Sequence, residues 1–299
     1  MKILVTGGAG FVGTNLIKRL VTNGHEVVSL DDYSTGTEDN HVNGCHYVEG
    51  KIEHINYYFG MSPSFDLVYH LAGLSRIQPS FESPSETFNV NTMGTQRVLE
   101  FARRHDLKVI YAGSSSKHHD PYQSPYAACK YLGEELCKLY KKTYNMDIEI
   151  CRFYNVYGPH EVIEGDWAAV IGIWRRQIEE GLPITIVGDG EQKRDFTHVH
   201  DIVDALLELQ SVNSSLSIID AWELGTGINY SINEVADMFI KYGGATKAWI
   251  KDQDGNYRET LRESDEALKL LDWEPKDRLE DYIKSLYKGK QLKFDFNEV

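Results

Sequence analysis

The first thirteen residues constrain this chain more than any other stretch. Lys2-Ile-Leu-Val-Thr6 is an apolar run, and Gly7-Gly-Ala-Gly10-Phe11-Val12-Gly13 follows at once, its glycines spaced GxxGxxG. A strand that runs through a glycine turn into a helix opens a βαβ unit. Gly7 permits the tight turn, Gly10 lets backbone N–H groups approach a pyrophosphate, and Gly13 lets the helix pack closely on the sheet. The helix start at Phe11 and Val12 then offers free N–H groups and a positive dipole end to that anion. Asp31 closes the next apolar run, Glu26–Leu30, eighteen positions after Gly13. A carboxylate there accepts from ribose hydroxyls and repels a 2′-phosphate, so NAD is expected over NADP. The competing reading is a structural glycine turn with a surface aspartate.

Further apolar runs at Asp66–Leu71, Lys108–Ala112 and Ile148–Phe153 alternate with amphipathic stretches at Phe11–Thr22, Ser85–Arg104 and Pro125–Tyr144. This alternation predicts an α/β fold: a Rossmann-type doubly wound parallel sheet, with ligands at the carboxyl ends of its strands. After Pro159 the pattern loosens into a helix over Ala168–Glu180, a strand at Ile184–Val187, a turn at Gly188–Gly190 and a helix over Val199–Gln210. Ala221–Leu224 reads as a strand returning to the main sheet, and Ser231 with Glu234 as a capping box. The expected division is a Rossmann domain over 1–157, rejoined by 197–224, and a smaller α/β substrate-binding lobe from 158–196 and 225–299.

A net charge of −14 without a basic block argues against nucleic acid as a partner. Four cysteines with no CxxC pair and no metal-ligand spacing read as reduced thiols, and no metal site is expected. With no apolar run of membrane-span length and no signal-peptide pattern before the first strand, a soluble cytoplasmic protein is expected.

Tyr126 and Lys130 are spaced i, i+4 in Ser124-Pro125-Tyr126-Ala-Ala-Cys-Lys130. Ser124 suits the helix cap and Pro125 its first turn, which puts Tyr126 and Lys130 on one face. An ammonium beside a phenol of ordinary pKa about 10 favours the phenolate and general-base work. Ser114, in Ser114-Ser115-Ser116 directly after a strand, can share a substrate hydroxyl proton with Tyr126. Alone, either pattern is an ordinary helix or an ordinary loop.

Together, the glycine fingerprint, Asp31, Leu71-Ala72-Gly73, the serine cluster and Tyr126-xxx-Lys130 resemble the extended short-chain dehydrogenase/reductases. More narrowly they resemble the NAD-dependent sugar-nucleotide epimerases and dehydratases, with UDP-glucose 4-epimerase the nearest type. The resemblance implies a nucleotide-sugar substrate, a UDP-hexose or UDP-uronate, and a homodimer formed through Pro125–Tyr144 and Ser85–Arg104. It assigns Ser114, Tyr126 and Lys130 to catalysis, and Ile52, Leu71, Ala72, Gly73 and Asn91 to the cofactor. Ser115, Ser116, Asn155 (in Arg152-Phe-Tyr-Asn155-Val-Tyr-Gly158-Pro159) and Arg194 (in Gly188-Asp-Gly-Glu-Gln-Lys-Arg194-Asp-Phe196) fall to the substrate, with Arg194 clamping its diphosphate. Arg258 is a second diphosphate candidate. Arg262 is a candidate for selecting a uronate carboxylate.

Two departures stand out. Lys51 replaces an aspartate that meets the adenine amine in the family. The segment from Ser114 to Tyr126 is short and carries Lys117-His118-His119-Asp120, whose histidines either line the sugar pocket or are solvated. Ser115 and Ser116 occupy places where the 4,6-dehydratases carry an Asp-Glu pair, and the decarboxylases a Glu at the second. C4 epimerisation is therefore the expected reaction. Dehydration, decarboxylation and a non-catalytic NAD-binding role are the alternatives.

Overall fold

The computed structural model describes residues 1–60, 64–212 and 220–288. Strands β1 (Lys2–Thr6), β2 (Glu26–Asp31), β3 (Cys45–Glu49), β4 (Leu67–His70), β5 (Lys108–Ser114) and β6 (Ile148–Phe153) join Trp222–Leu224 in one seven-stranded sheet. From one edge the order is Trp222–Leu224, β6, β5, β4, β1, β2, β3, and every neighbouring pair is parallel. The chain winds outward from β1 through β2 and β3, then crosses to β4 on the other side. The switch point lies between β1 and β4, where an open parallel sheet leaves a crevice for a ligand.

Alternate residues of each strand feed opposite faces, so each face needs helices to cover it. On one face, Ile3 and Val5 pack with Leu16, Ile17 and Leu20 of the helix Phe11–Thr22 and with Ile202 and Leu206 of Val199–Glu208. On the other, Leu4, Val68, Val109 and Ile150 pack with Val98, Leu99, Phe101 and Ala102 of Thr95–Arg104 and with Cys137 and Tyr140 of Pro125–Tyr144. Each fully buried side chain of this size contributes about 1.5–3 kcal/mol.

Three local differences from the sequence reading matter. β5 runs two residues beyond Ala112, so Ser114 ends the strand and does not belong to the loop. Cys45–Glu49 lacks an apolar run because it is an edge strand with both faces half exposed. The stretch 85–104 is not one helix. Pro84–Phe88 and Thr95–Arg104 flank a π-helical segment, Asn89–Gly94, and the wider turn brings Asn91 against the backbone of Leu74.

A second core gathers Trp174, Ile184, Ile186, Phe239 and Ile283 from segments after Tyr157. There Ile184–Val187 pairs parallel with Lys247–Ile250, and helices Val170–Glu179, Ile232–Gly243 and Leu279–Leu286 pack around them. The capping box forms: Ser231 Oγ accepts from the Glu234 N–H at 3.1 Å, and the Glu234 carboxylate accepts from the Ser231 N–H at 2.7 Å. Among the described residues no helix is long and apolar enough to cross a membrane.

Candidate active site

A cavity of about 710 Å³ opens over the carboxyl ends of β1, β2, β4 and β5 and extends between the two cores. Its first wall is the glycine turn. Gly7 has φ +72°, and a Cβ there would lie 2.8 Å from Ala72 Cα; at Gly13 it would lie 2.1 Å from the Gly7 carbonyl oxygen. Both positions admit only glycine. At Gly10 a Cβ would meet nothing nearer than that same oxygen at 3.3 Å, so the backbone faces open space. Phe11 and Val12 line the cavity beside it, with Ile52, Leu71, Ala72 and Gly73. Asp31, at the end of β2, is buried and accepts from the N–H groups of Ala9 (2.8 Å) and Tyr33 (2.9 Å). Burial raises its pKa.

The second wall carries Ser114, Tyr126 and Lys130. Ser124 Oγ caps the helix Pro125–Tyr144 by accepting from the Ala127 N–H at 3.1 Å, which sets Tyr126 in the first turn. The Tyr126 hydroxyl donates to Ser114 Oγ at 3.2 Å, and Ser114 Oγ also accepts from the Ser116 N–H. One turn on, Lys130 is buried and its Nζ donates to the Ala112 carbonyl at 2.9 Å. Burial pushes its pKa down to about 8. Burial also raises the Tyr126 phenol, opposed by the Ser114 hydrogen bond and then by the Arg76 cation. The i, i+4 spacing points to Lys130 as the charge that tunes this phenol. In the protein alone Lys130 is turned to a backbone carbonyl, and Arg76 is the cation acting on it.

The third wall comes from the second core. Asn155 lines the cavity, its amide donating to the Asp195 carbonyl at 3.0 Å and to Thr260 Oγ1 at 2.9 Å. Arg194 lines it too, with one donor to the Lys193 carbonyl, and desolvation lowers its pKa to about 10. Asp195 does not pair with it: that carboxylate is spent on the N–H groups of Thr226, Gly227 and Arg262. Ser115 and Ser116 complete this side, and both are buried.

The family-model comparison matches residues 3–217 to the NAD dependent epimerase/dehydratase family. A putative UDP-glucose 4-epimerase of Methanocaldococcus jannaschii is 31% identical, over 94% of this chain and 96% of its own. UDP-glucuronic acid decarboxylase 1 of Xenopus tropicalis is 30% identical, over 99% of this chain and 74% of its own. Among solved structures, UDP-glucose 4-epimerase of Thermotoga maritima, determined with UDP-glucose, superposes with a TM-score of 0.87 at 26% identity, covering 96% of this chain and 98% of that one. The chain belongs to the NAD dependent epimerase/dehydratase family.

The family's cofactor is NAD, and the first two walls fit it. The backbone at Gly10 leaves room for a pyrophosphate, and each Asp31 oxygen keeps a lone pair for a ribose hydroxyl. Lys130 lines the same cavity one helical turn after Tyr126. Three positions assigned by resemblance lie off the cavity. Asn91 does not line it. Its amide clamps both the N–H and the carbonyl of Leu74 at 2.8 Å, so it braces the loop after Gly73. Arg258 points outward to Asp189 at 2.9 Å and is exposed. Arg262 is committed to the Gly225 carbonyl at 2.7 Å and to Asp265 at 2.6 Å. Neither arginine lines the cavity: Arg258 is paired across the chain with Asp189, and Arg262 with Asp265 three residues on. The histidines are not simply solvated: His118 reaches Glu223 at 2.8 Å, and His119 stacks on Tyr257 at 3.9 Å between centroids.

Several cavity residues escaped the sequence reading. Arg76 follows β4 and donates from Nε to the Trp167 carbonyl at 2.9 Å. Arg176 and Tyr257 also line the cavity, with Arg176 Nε buried and lacking a hydrogen-bond partner among the described residues. Glu53, two residues beyond Lys51, brings a carboxylate to the wall that Lys51 does not reach. None of these belongs to a spaced motif; a lone arginine before a short helix gives no signal in one sequence.

Beneath the catalytic wall lies a buried ionic bed. Arg152 of β6 pairs with Glu134 at 2.8 Å and with Glu223 at 2.7 Å, and the Tyr154 hydroxyl donates to Glu223 at 2.6 Å. It ties the Tyr126 helix to the edge strand Trp222–Leu224.

Proposed function

We propose that the protein inverts C4 of a nucleotide sugar, with UDP as the carrier, through a transient 4-keto sugar. The observation that favours epimerisation is the pair of buried hydroxyls, Ser115 and Ser116, directly after Ser114. Elimination or carboxylate-assisted chemistry calls for a carboxyl group there, and serine cannot act as that acid or base at neutral pH.

The chain's own residues divide the work. Ser114 Oγ bridges the substrate hydroxyl and the Tyr126 oxygen, 3.2 Å away, and Tyr126 takes the hydroxyl proton. Tyr126 does so as the phenolate, which the charges of Lys130 and Arg76 stabilise before the transfer. NAD, when bound, supplies the acceptor for the hydride that leaves C4. Arg194 holds the diphosphate while the keto sugar turns, and Tyr126 returns its proton to the oxygen as hydride returns to the opposite face. Balance is kept: one proton and one hydride leave, and the same pair comes back.

Purified protein with NAD and a panel of UDP-sugars, followed by proton NMR, tests this. A C4 epimer should appear with no net change in NAD redox state, and Tyr126→Phe should slow it by about 10²–10⁴-fold while NAD binding persists. No change in any sugar, with NAD bound, would favour the non-catalytic alternative.

We also propose a homodimer through the Tyr126 helix. Leu132 and Leu139, seven residues apart on one helical face, are 40% and 53% exposed, and Phe88 and Met93 are exposed on the neighbouring segments. Sedimentation should show a dimer that Leu139→Asp converts to monomer; a wild-type monomer would end the proposal.

A further inference from the structure

Four cationic side chains line the cavity, and their surroundings differ. Lys130 is held by the Ala112 carbonyl beside the catalytic tyrosine. Arg176 and Arg194 stand on segments of the second core, and Thr185, Val187 and Gln192 line the cavity with them. Arg76 stands apart on the loop after β4, at the cap of the helix Ile77–Glu82. Ser80 of that helix accepts from the Tyr126 N–H at 3.2 Å, which fixes the Arg76 loop against the start of the catalytic helix.

Arg76 is half-buried, and among the described residues it has no ion-pair partner. Glu161, the carboxylate whose charge acts on it, is already bound at one oxygen by Arg175 (2.9 Å) and the Tyr282 hydroxyl (3.0 Å). A guanidinium offers five N–H donors in a planar fork, and here one hydrogen bond, to the Trp167 carbonyl, is made. A charge half withdrawn from water and this short of partners is costly, and a cavity retains one where a ligand brings the opposite charge. The fork geometry matches a planar carboxylate.

Its position along the cavity narrows which anion. The Ser80–Tyr126 hydrogen bond sets the Arg76 loop at the Tyr126 end of the cavity, while Arg194 reaches the same cavity from a segment of the second core. A substrate whose diphosphate meets Arg194 and whose C4 meets Tyr126 reaches Arg76 with the groups beyond C4, of which C6 is the one able to carry a carboxylate. We propose that Arg76 binds a carboxylate at C6 of the sugar, so that the substrate is a nucleotide-linked uronic acid. Resting on the C4-epimerase reading, the proposal transfers to Arg76 the task that sequence comparison suggested for Arg262.

Calorimetric titration of the NAD-loaded protein with UDP, UDP-glucose and UDP-glucuronate separates the possibilities. Wild type should bind UDP-glucuronate about tenfold or more tightly than UDP-glucose, as a charged hydrogen bond of about 1.5–3 kcal/mol requires. Arg76→Met should remove that preference and leave UDP and UDP-glucose within about twofold, while Arg76→Lys should retain part of it. Equal weakening of all three ligands by Arg76→Met would make Arg76 a diphosphate contact and overturn the proposal. So would a wild-type protein without preference, a result that needs no variant to fold. Epimerisation of UDP-glucose without preference for the uronate would sink this inference and leave the reaction intact; failure of every UDP-sugar to bind would sink both.

Discussion

At the glycine end of the cavity the wall is mostly backbone, and at the far end it is side chain. Gly7, Gly10 and Gly13 act by what they lack, and their geometry is set within one strand, one turn and one helix. Arg76, Arg176, Arg194 and Tyr257 act by what they carry, and they come from four segments spread over 182 positions. A site built from close backbone approach tolerates almost no substitution and advertises itself as a motif. A site built from long side chains on loops can be retuned one residue at a time, as the same fold must be when its relatives act on different sugars.

The largest expected effect breaks the support shared by the substrate end. Arg152→Ala would leave Glu134 and Glu223 buried without their cation, at a cost of about 3–5 kcal/mol. Urea unfolding should show it; a loss under about 1 kcal/mol would mean that His118 and Lys138 suffice to neutralise the bed. A crossed pair of variants then sharpens the contrast between the two ends. Arg194→Ala should weaken UDP binding by about 1.5–3 kcal/mol and leave NAD affinity unchanged. Gly13→Ala should do the reverse, costing about 1–3 kcal/mol in stability as its Cβ meets the Gly7 carbonyl, with NAD affinity falling and UDP affinity kept. Titrations in which each variant damages both ligands alike would mean that the ends are not independent.

The smallest effect concerns Lys130, where the two ends meet. Below about pH 8 the folded and unfolded lysine are both charged. Between about 8 and its ordinary 10.5 the unfolded chain keeps a proton that the folded chain has released, so this residue makes stability rise with pH across that window. The slope is at most about 1.4 kcal/mol per pH unit. Other buried groups titrate nearby, so the quantity to measure is the difference between wild type and Lys130→Met, which should grow from pH 8 to 10 and stay flat from 6 to 7.5.

Much of this molecule is legible in the order of its residues. Apolar alternation marks the buried strands because both of their faces are covered, and it misses Cys45–Glu49 because an edge strand is not buried. Ser124 with Pro125, and Ser231 with Glu234, mark helix starts because capping is a contact within four residues. The glycine turn, Asp31 and the Tyr126–Lys130 spacing are legible for the same reason. Tertiary structure alone decided that Arg258 and Arg262 are consumed by Asp189 and Asp265, and that Asn91 braces Leu74 through a widened helical turn. It also decided that Arg76 is the cation acting on the Tyr126 phenol. Apart from the short Arg262–Asp265 pair, those outcomes depend on which side chain finds a partner across 17 to 91 residues of chain. Local spacing fixes a turn or a cap, but the pairing of long side chains is settled only when distant segments pack.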